Sequence, residues 1–311
     1  MFFFPYKADL GHDQIPFITI IVAILCLAVY FGQANNEEKF FDASAEFCKQ
    51  PTKPLVKLVM SKTFGSSSPQ SCFNNLTSIY LAEDSSAYIN KAVAEGKLLN
   101  GYSKERGQAL SIAIIEEYFD DYKLASPGYD TQQLWYAPQS WNPLTMITAA
   151  FAHGSWDHVI FNLFFFFAFA AAVEMIVGSV YFLAVLMGLS VGTHLLYSLF
   201  LINAIEPRPT VGLSGVVMGV MTLFAFFLPK GKIRCFFWII FFFRRFSIPA
   251  WLLVAWFLGW NVFDFINDDG SSHVNFQVHL TGGLLGYLFG WILFRAQRKR
   301  VIELAALEPL Y

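Results

Sequence analysis

The sequence predicts an all-α polytopic membrane protein, with six helices forming a transmembrane core and a mainly helical extracytoplasmic insertion between spans one and two. Three observations predict it. Of the 311 residues, 56% are hydrophobic and only 14% are charged, whereas soluble domains sit near a quarter charged. Six apolar runs approach the roughly 20 residues needed to cross a bilayer; they fall at about 15–33, 155–174, 179–203, 211–228, 248–266 and 276–294. Between the first two runs lies a stretch of different composition, 34–140, with ten Lys/Arg and thirteen Asp/Glu. The formal net charge of −2 says nothing about a nucleic-acid partner, and no basic patch suggests one.

The first run, IPFITIIVAILCLAVYFGQ, has only Lys7 ahead of it and no A-x-A-type cleavage site behind it, so it reads as a retained anchor rather than a signal peptide. In the insertion, SSAYINKAVAEGKLL and KERGQALSIAIIEEYFDDYKLA have helical spacing. Ile112, Ile115, Phe119 and Tyr122 recur at threes and fours, as one buried face requires. This predicts a small helical domain; the other reading is a loose insertion lying on the membrane core. Cys48 and Cys72 are the cysteines of this segment, and outside the cytoplasm they are expected to form a disulfide, the alternative being two buried thiols. Asn75-Leu76-Thr77 is a glycosylation sequon that matters only in a eukaryotic secretory host.

Charge gives the expected orientation. With six spans both termini share one side, and that side carries Lys7, Lys230, Lys232, Arg234, Arg244, Arg245, Arg295, Arg298, Lys299 and Arg300, while the short loops opposite carry only Arg208. The positive-inside rule then makes the termini cytoplasmic. The organisation read from this is a cytoplasmic N-terminus and first span (1–33), an extracytoplasmic inserted domain (34–140), a core with spans two to six (141–296) and a cytoplasmic tail (297–311). A bacterial inner membrane, with 34–140 in the periplasm, is the expected location.

Strongly polar side chains within a span need a reason, because hydrocarbon offers them no partner. His158 and Asn162 in span two, Ser214 in span four and His279 in span six stand out. Ser155 reads as the N-cap of span two, with Asp157 in its first turn. His158 is then about one turn in, Asn162 about two, and their spacing of four puts them on one face. Ser214 and His279 are each expected about one turn inside their own spans. All three spans enter from the outer side, so the polar groups share one level. Gly215 and Gly219 in span four, and Gly282, Gly286 and Gly290 in span six, allow close helix approach on the faces that bear Ser214 and His279. A serine hydroxyl needs a base, which His279 can supply, and a tetrahedral intermediate needs donors, which His158, Asn162 and the Ser214 amide can supply. No carboxylate lies at this level, so the expected chemistry runs on a Ser–His dyad.

These residues resemble the rhomboid intramembrane serine proteases. The GxSG motif is Gly212-Leu213-Ser214-Gly215; HxxxN is His158 to Asn162 within FAHGSWDHVIFNL; HxxGxxxG is His279, Gly282 and Gly286. His153, Glu174 and Gly178-Ser179 also fit, and the resemblance covers about 145–294 plus the first span. It implies a rhomboid-like six-helix core, Ser214 as nucleophile, His279 as base, and an oxyanion hole from His158, Asn162 and the serine amide. It further implies cleavage of transmembrane protein substrates within the lipid bilayer, near their outer end, with no metal or cofactor. Two departures stand out. No arginine follows Trp141 in the loop before span two, so that loop's anchoring is expected to differ, and Met218 occupies the position where many relatives have a tyrosine stacked on the base. A catalytically inactive rhomboid-like binding factor is the alternative; loss of the serine or the histidine would mark it, and both are present. A transporter would need polar groups near the midplane and broken helices there. His194 reads as a satisfied structural histidine, the run FFFF at 164–167 as lipid-facing bulk, and Trp251, Trp256 and Trp260 as interfacial anchors or the side that admits substrate.

Overall fold

Helix α1 (Phe17–Lys49) begins with the first apolar run but continues well past its end. No proline or glycine interrupts the chain between Gly32 and Pro51, so nothing in the sequence stops the helix where its hydrophobicity stops. The computed structural model describes residues 2–8, 15–202, 208–239, 242–268, 272 and 274–307. These fall into two compact units, one formed by Met1–Phe31 with Leu134–Tyr311 and the other by Gly32–Gln133.

The second unit is helical: α2 (Pro54–Phe64), α3 (Pro69–Leu81), α4 (Ser85–Glu95), α5 (Lys104–Ala125), and the start of α6 (Asp130–Leu134). Side-chain caps fix three of the starts. Ser68 accepts from Ser71 N at 3.2 Å, Asp84 from Ala87 N at 2.8 Å, and Ser103 from Arg106 N at 3.4 Å, each satisfying an otherwise orphaned amide. The expected face of α5 is buried, with Ile115, Phe119 and Tyr122 packed on Phe40, Leu76, Ile79 and Ile89. Ser44 Oγ and Tyr122 Oη share a buried hydrogen bond of 2.7 Å within that core.

A disulfide joins Cys48 to Cys72 across 24 positions, tying the end of α1 to α3. Closing a loop of that length is worth about 3 kcal/mol by the chain-entropy estimate. Non-reducing peptide mapping should recover the linked peptides, and the Cys48→Ser, Cys72→Ser double variant should unfold at lower denaturant. Recovery of both residues as free thiols would contradict the bond.

The first unit holds most of the apolar chain. After a 3₁₀ turn (Pro138–Ser140) and the short α7 (Pro143–Thr148) come α8 (Trp156–Val177), α9 (Ser179–Phe200), α10 (Ser214–Phe227), α11 (Ala250–Asn267), α12 (Phe276–Leu293) and α13 (Arg295–Leu307). Among the described residues five helices are long and apolar enough to cross a membrane: α1, α8, α9, α11 and α12. At 14 residues α10 is shorter than the roughly 20 that a span facing lipid requires. It is instead sheathed by its neighbours, since every residue but Ser214 and Ala225 is buried. The apolar run at 211–228 therefore begins earlier than its helix: Gly212 has φ 119°, which breaks the helix and makes Ser214 its first residue. Ser214 is not one turn inside its helix, as its place in the run suggests, but at the end of it.

Glycines set the approach of α10 to α12. A Cβ on Gly282 would collide with the Gly215 carbonyl, and one on Gly286 with that of Gly219. The two backbones are in direct contact along one stripe. At the other end of the unit, the buried Glu174 carboxylate accepts from Ile18 N at 2.9 Å, Thr19 N at 2.8 Å, Thr19 Oγ1 at 2.8 Å and Ser179 Oγ at 2.7 Å. It caps the start of α1 from the end of α8, an anion at a helix N-terminus.

Among the described residues three strands depart from an all-helical chain. β1 (Phe2–Ala8), β2 (Lys232–Ile239) and β3 (Phe242–Pro249) form an antiparallel sheet in the order β1–β2–β3. The basic segment between α10 and α11 is thus a hairpin, built from Ile, Phe and Trp that favour extended backbone. The phenylalanine run is also divided differently from expectation. Phe164 and Phe167 are each 40% exposed, but Phe166 is fully buried and Phe165 packs edge-on against Phe257 at 4.9 Å. On a helix, four consecutive residues cover all faces, so the run serves core and surface alike.

Candidate active site

The turn that delivers Ser214 is clamped residue by residue. Thr210 pairs with Tyr136 through two backbone bonds of 3.0 and 2.9 Å, and Gly212 N donates to Ala149 O at 2.8 Å. Leu213 N donates to His153 Nε2 at 3.5 Å, while His153 Nδ1 contacts Phe151 O at 3.1 Å. A carbonyl only accepts, so Nδ1 carries the proton and Nε2 is left as acceptor. Burial first, and the neighbouring His158 second, hold His153 down at about pKa 3, which keeps it in that neutral form. His153 therefore braces the backbone just before Ser214.

The loop before α8 is anchored without an arginine after Trp141. Ser198 Oγ donates to Pro138 O at 2.7 Å, Ser190 Oγ to Met146 O at 2.8 Å, and Thr148 Oγ1 to Leu134 O at 3.1 Å.

Ser214 opens α10, so its N–H has no acceptor within the helix, and it sits at the positive end of the helix dipole. α8 presents the two candidate donors. Ser155 caps α8 through a bond from His158 N at 3.1 Å, which fixes His158 in the first turn. Gly154 N donates to His158 Nδ1 at 3.4 Å, so the imidazole proton lies on Nε2. A Cβ on Gly212 would stand 2.7 Å from His158 Nε2 and 3.6 Å from Asn162 Nδ2. Both donors therefore face the Gly212 turn, and only glycine fits between. Asn162 is buried, and its Nδ2 has no hydrogen-bond partner, an uncommon state for a buried amide.

His279 lies in the first turn of α12, which Asn275 caps at Val278 N with 3.1 Å. Val278, its neighbour, packs on Gly215, the neighbour of Ser214; a Cβ on Gly215 would lie 3.2 Å from Val278 O. The α10–α12 contact thus brings Ser214 and His279 to one level. His279 Nδ1 also meets Asn261 Oδ1 of α11 at 2.7 Å. Sequence reasoning missed Asn261, although the signal was there: an amide within an apolar span, subject to the same cost that singled out Asn162.

His194 Nδ1 bonds Ser190 O at 2.7 Å and its ring packs on Tyr136 at 4.9 Å, a satisfied structural histidine. Trp251, Trp256 and Trp260 are all more than half exposed on α11. Among the described residues no group of three or more His, Cys, Asp or Glu could hold a metal ion. A groove of about 300 Å³ in the second unit, between α1, α2 and α5, holds none of the candidate side chains.

Comparison with known proteins bears on the same region. The family model described as Rhomboid domain matches residues 138–296. The chain is similar to Rhomboid protein 1, mitochondrial, of Saccharomyces cerevisiae (strain ATCC 204508 / S288c), with 25% identity over 195 residues, covering 55% of this chain and 53% of that protein. The chain thus spans about half the length of this curated relative.

Proposed function

The chain belongs to the rhomboid family, and from that premise we propose that it is an intramembrane serine endopeptidase that cuts transmembrane segments of other membrane proteins near their extracytoplasmic end. It is a multi-pass integral membrane protein, with five helices of spanning length and composition among its described residues. In this reading His279 Nε2 takes the proton of Ser214 Oγ as that oxygen attacks the scissile carbonyl. The tetrahedral oxyanion is held by the Ser214 amide, His158 Nε2–H and Asn162 Nδ2–H. The amine leaves with the proton from His279, giving an acyl-enzyme that water then hydrolyses with the same histidine as base.

The observation that carries this reading is the unpartnered, buried Nδ2 of Asn162 beside the Gly212 turn. A donor left unsatisfied costs stability, and an acceptor that exists only during reaction accounts for it. The basic residues in β2, β3 and α13 support cytoplasmic termini, and with them an extracytoplasmic place for the unit Gly32–Gln133. A bacterial inner membrane, with that unit in the periplasm, is the location we propose. A fluorophosphonate probe should label the detergent-purified protein and should not label Ser214→Ala. A wild type that inserts correctly yet neither labels nor cuts any single-span substrate would instead support an inactive binding factor.

A further inference from the structure

We propose that Asn261 of α11 is the positioning residue that orients His279, so that the base works as the middle member of a Ser214–His279–Asn261 triad. This rests on the protease reading and adds a group that neither the motifs nor the expected dyad contain.

The geometry assigns every proton. Asn261 Nδ2 donates to Phe257 O, one turn back on α11, at 2.8 Å. That bond fixes which end of the amide is nitrogen, and so the atom facing His279 Nδ1 at 2.7 Å is Oδ1. An amide oxygen can only accept, so Nδ1 of His279 must carry the proton and Nε2 keeps its lone pair. That is the tautomer a base for Ser214 requires. With the proton on Nε2 the imidazole would present N–H to the hydroxyl and take nothing from it.

The placement is costly unless it serves something. α11 buries only Ala250, Leu253, Val254 and Asn261, and leaves its tryptophans largely exposed. One of the four buried side chains is therefore a polar amide, and both of its polar atoms are satisfied, one by its own helix and one by His279. Asn261 is six residues from the end of α11, and His279 is the fourth residue of α12. The bond crosses between the helices at the level of Ser214. A directional bond fixes both ring position and tautomer. As His279 gains a proton from Ser214, its Nδ1–H becomes the donor of a charged group and the bond to Oδ1 strengthens. A carboxylate would strengthen it further, but would leave an unneutralised charge buried in a dry site in the resting enzyme. The amide gives orientation without that charge.

The test uses the full chain in detergent or liposomes. Asn261→Leu keeps the branched shape and removes the acceptor; Asn261→Asp keeps the acceptor. On a single-span substrate the leucine variant should lose about 10- to 100-fold in kcat, the worth of one hydrogen bond to a charged group, with KM nearly unchanged. The aspartate variant, which keeps the acceptor but sets a second oxygen against Phe257 O in place of the amide donor, should recover part of that loss. The second readout does not need activity. In ¹⁵N-histidine-labelled protein, with the signal assigned by its loss in His279→Gln, His279 should be held as the Nδ1–H tautomer in the wild type and as a mixture in Asn261→Leu. Unchanged kcat in a folded leucine variant, or an unchanged tautomer, overturns the proposal. A fixed Nδ1–H tautomer lost in Asn261→Leu, in a wild type that no fluorophosphonate labels, would uphold the positioning and remove the protease reading instead.

Discussion

Ser214→Ala and His279→Ala are each expected to lower the rate of cleavage of a single-span substrate by roughly 10⁴-fold or more, and the double variant to be scarcely worse than either. The reason is that nucleophile and base make one unit: a hydroxyl without a base is unreactive, and a base without a hydroxyl has nothing to deprotonate. The structural support is specific. Gly215 and Gly219 press α10 onto Gly282 and Gly286 of α12, and Gly215 and Val278, the chain neighbours of Ser214 and His279, lie against each other. Neither substitution touches those glycines, so both variants should insert and stay monodisperse. The check is a quantified cleavage time course for wild type, both singles and the double. Losses that multiply in the double variant would mean the two residues act independently, and substantial cleavage by Ser214→Ala would exclude it as the nucleophile.

Much of this site is legible in the sequence because bilayers enforce simple rules. Apolar length marks the spans, and polar groups inside them stand out by their cost. His158 and Asn162 on one face of α8, the Ser155 cap and the glycine stripe on α10 and α12 all follow from periodicity. The hidden parts depend on tertiary contacts that periodicity does not encode. The true start of α10 is set by the φ of Gly212 and by the bonds of Thr210, Gly212 and Leu213 to Tyr136, Ala149 and His153. Those partners lie 60 to 74 residues away in sequence. An apolar run reads as one helix from Val211 because hydropathy does not register a left-handed turn.

The same limit explains Asn261, the sheet and α1. An asparagine in an apolar helix announces a cost but not its partner, and His279 lies on the next helix across a loop. The strands pair a segment near the N-terminus with one after α10, a long-range match that β-propensity alone does not reveal. α1 runs on to Lys49 because breakers, not hydrophobicity, end helices. The glutamate that caps it belongs to another helix altogether.

Removing the donors on α8 should slow chemistry without weakening substrate binding. His158→Ala and Asn162→Ala are expected to lose about 10²–10³ in kcat each, the usual worth of one oxyanion-hole donor, while KM changes little. His158 Nε2–H and Asn162 Nδ2–H face the Gly212 turn, where charge is expected to develop only in the transition state. Asn162 offers a sharper diagnostic than rate alone. Its Nδ2 is buried and unpartnered in the resting protein, so deleting that amide breaks no bond made by Nδ2 in the folded state. Asn162→Val should therefore melt in detergent close to the wild type, or above it, while turning over far more slowly. A purely structural asparagine would behave the other way, with a lowered melting temperature and a rate reduced only in proportion to the folded fraction. Raised KM at unchanged kcat would assign both residues to substrate binding. A fall in kcat with stability preserved would mark a donor held in reserve for an oxyanion, at a standing cost to the fold.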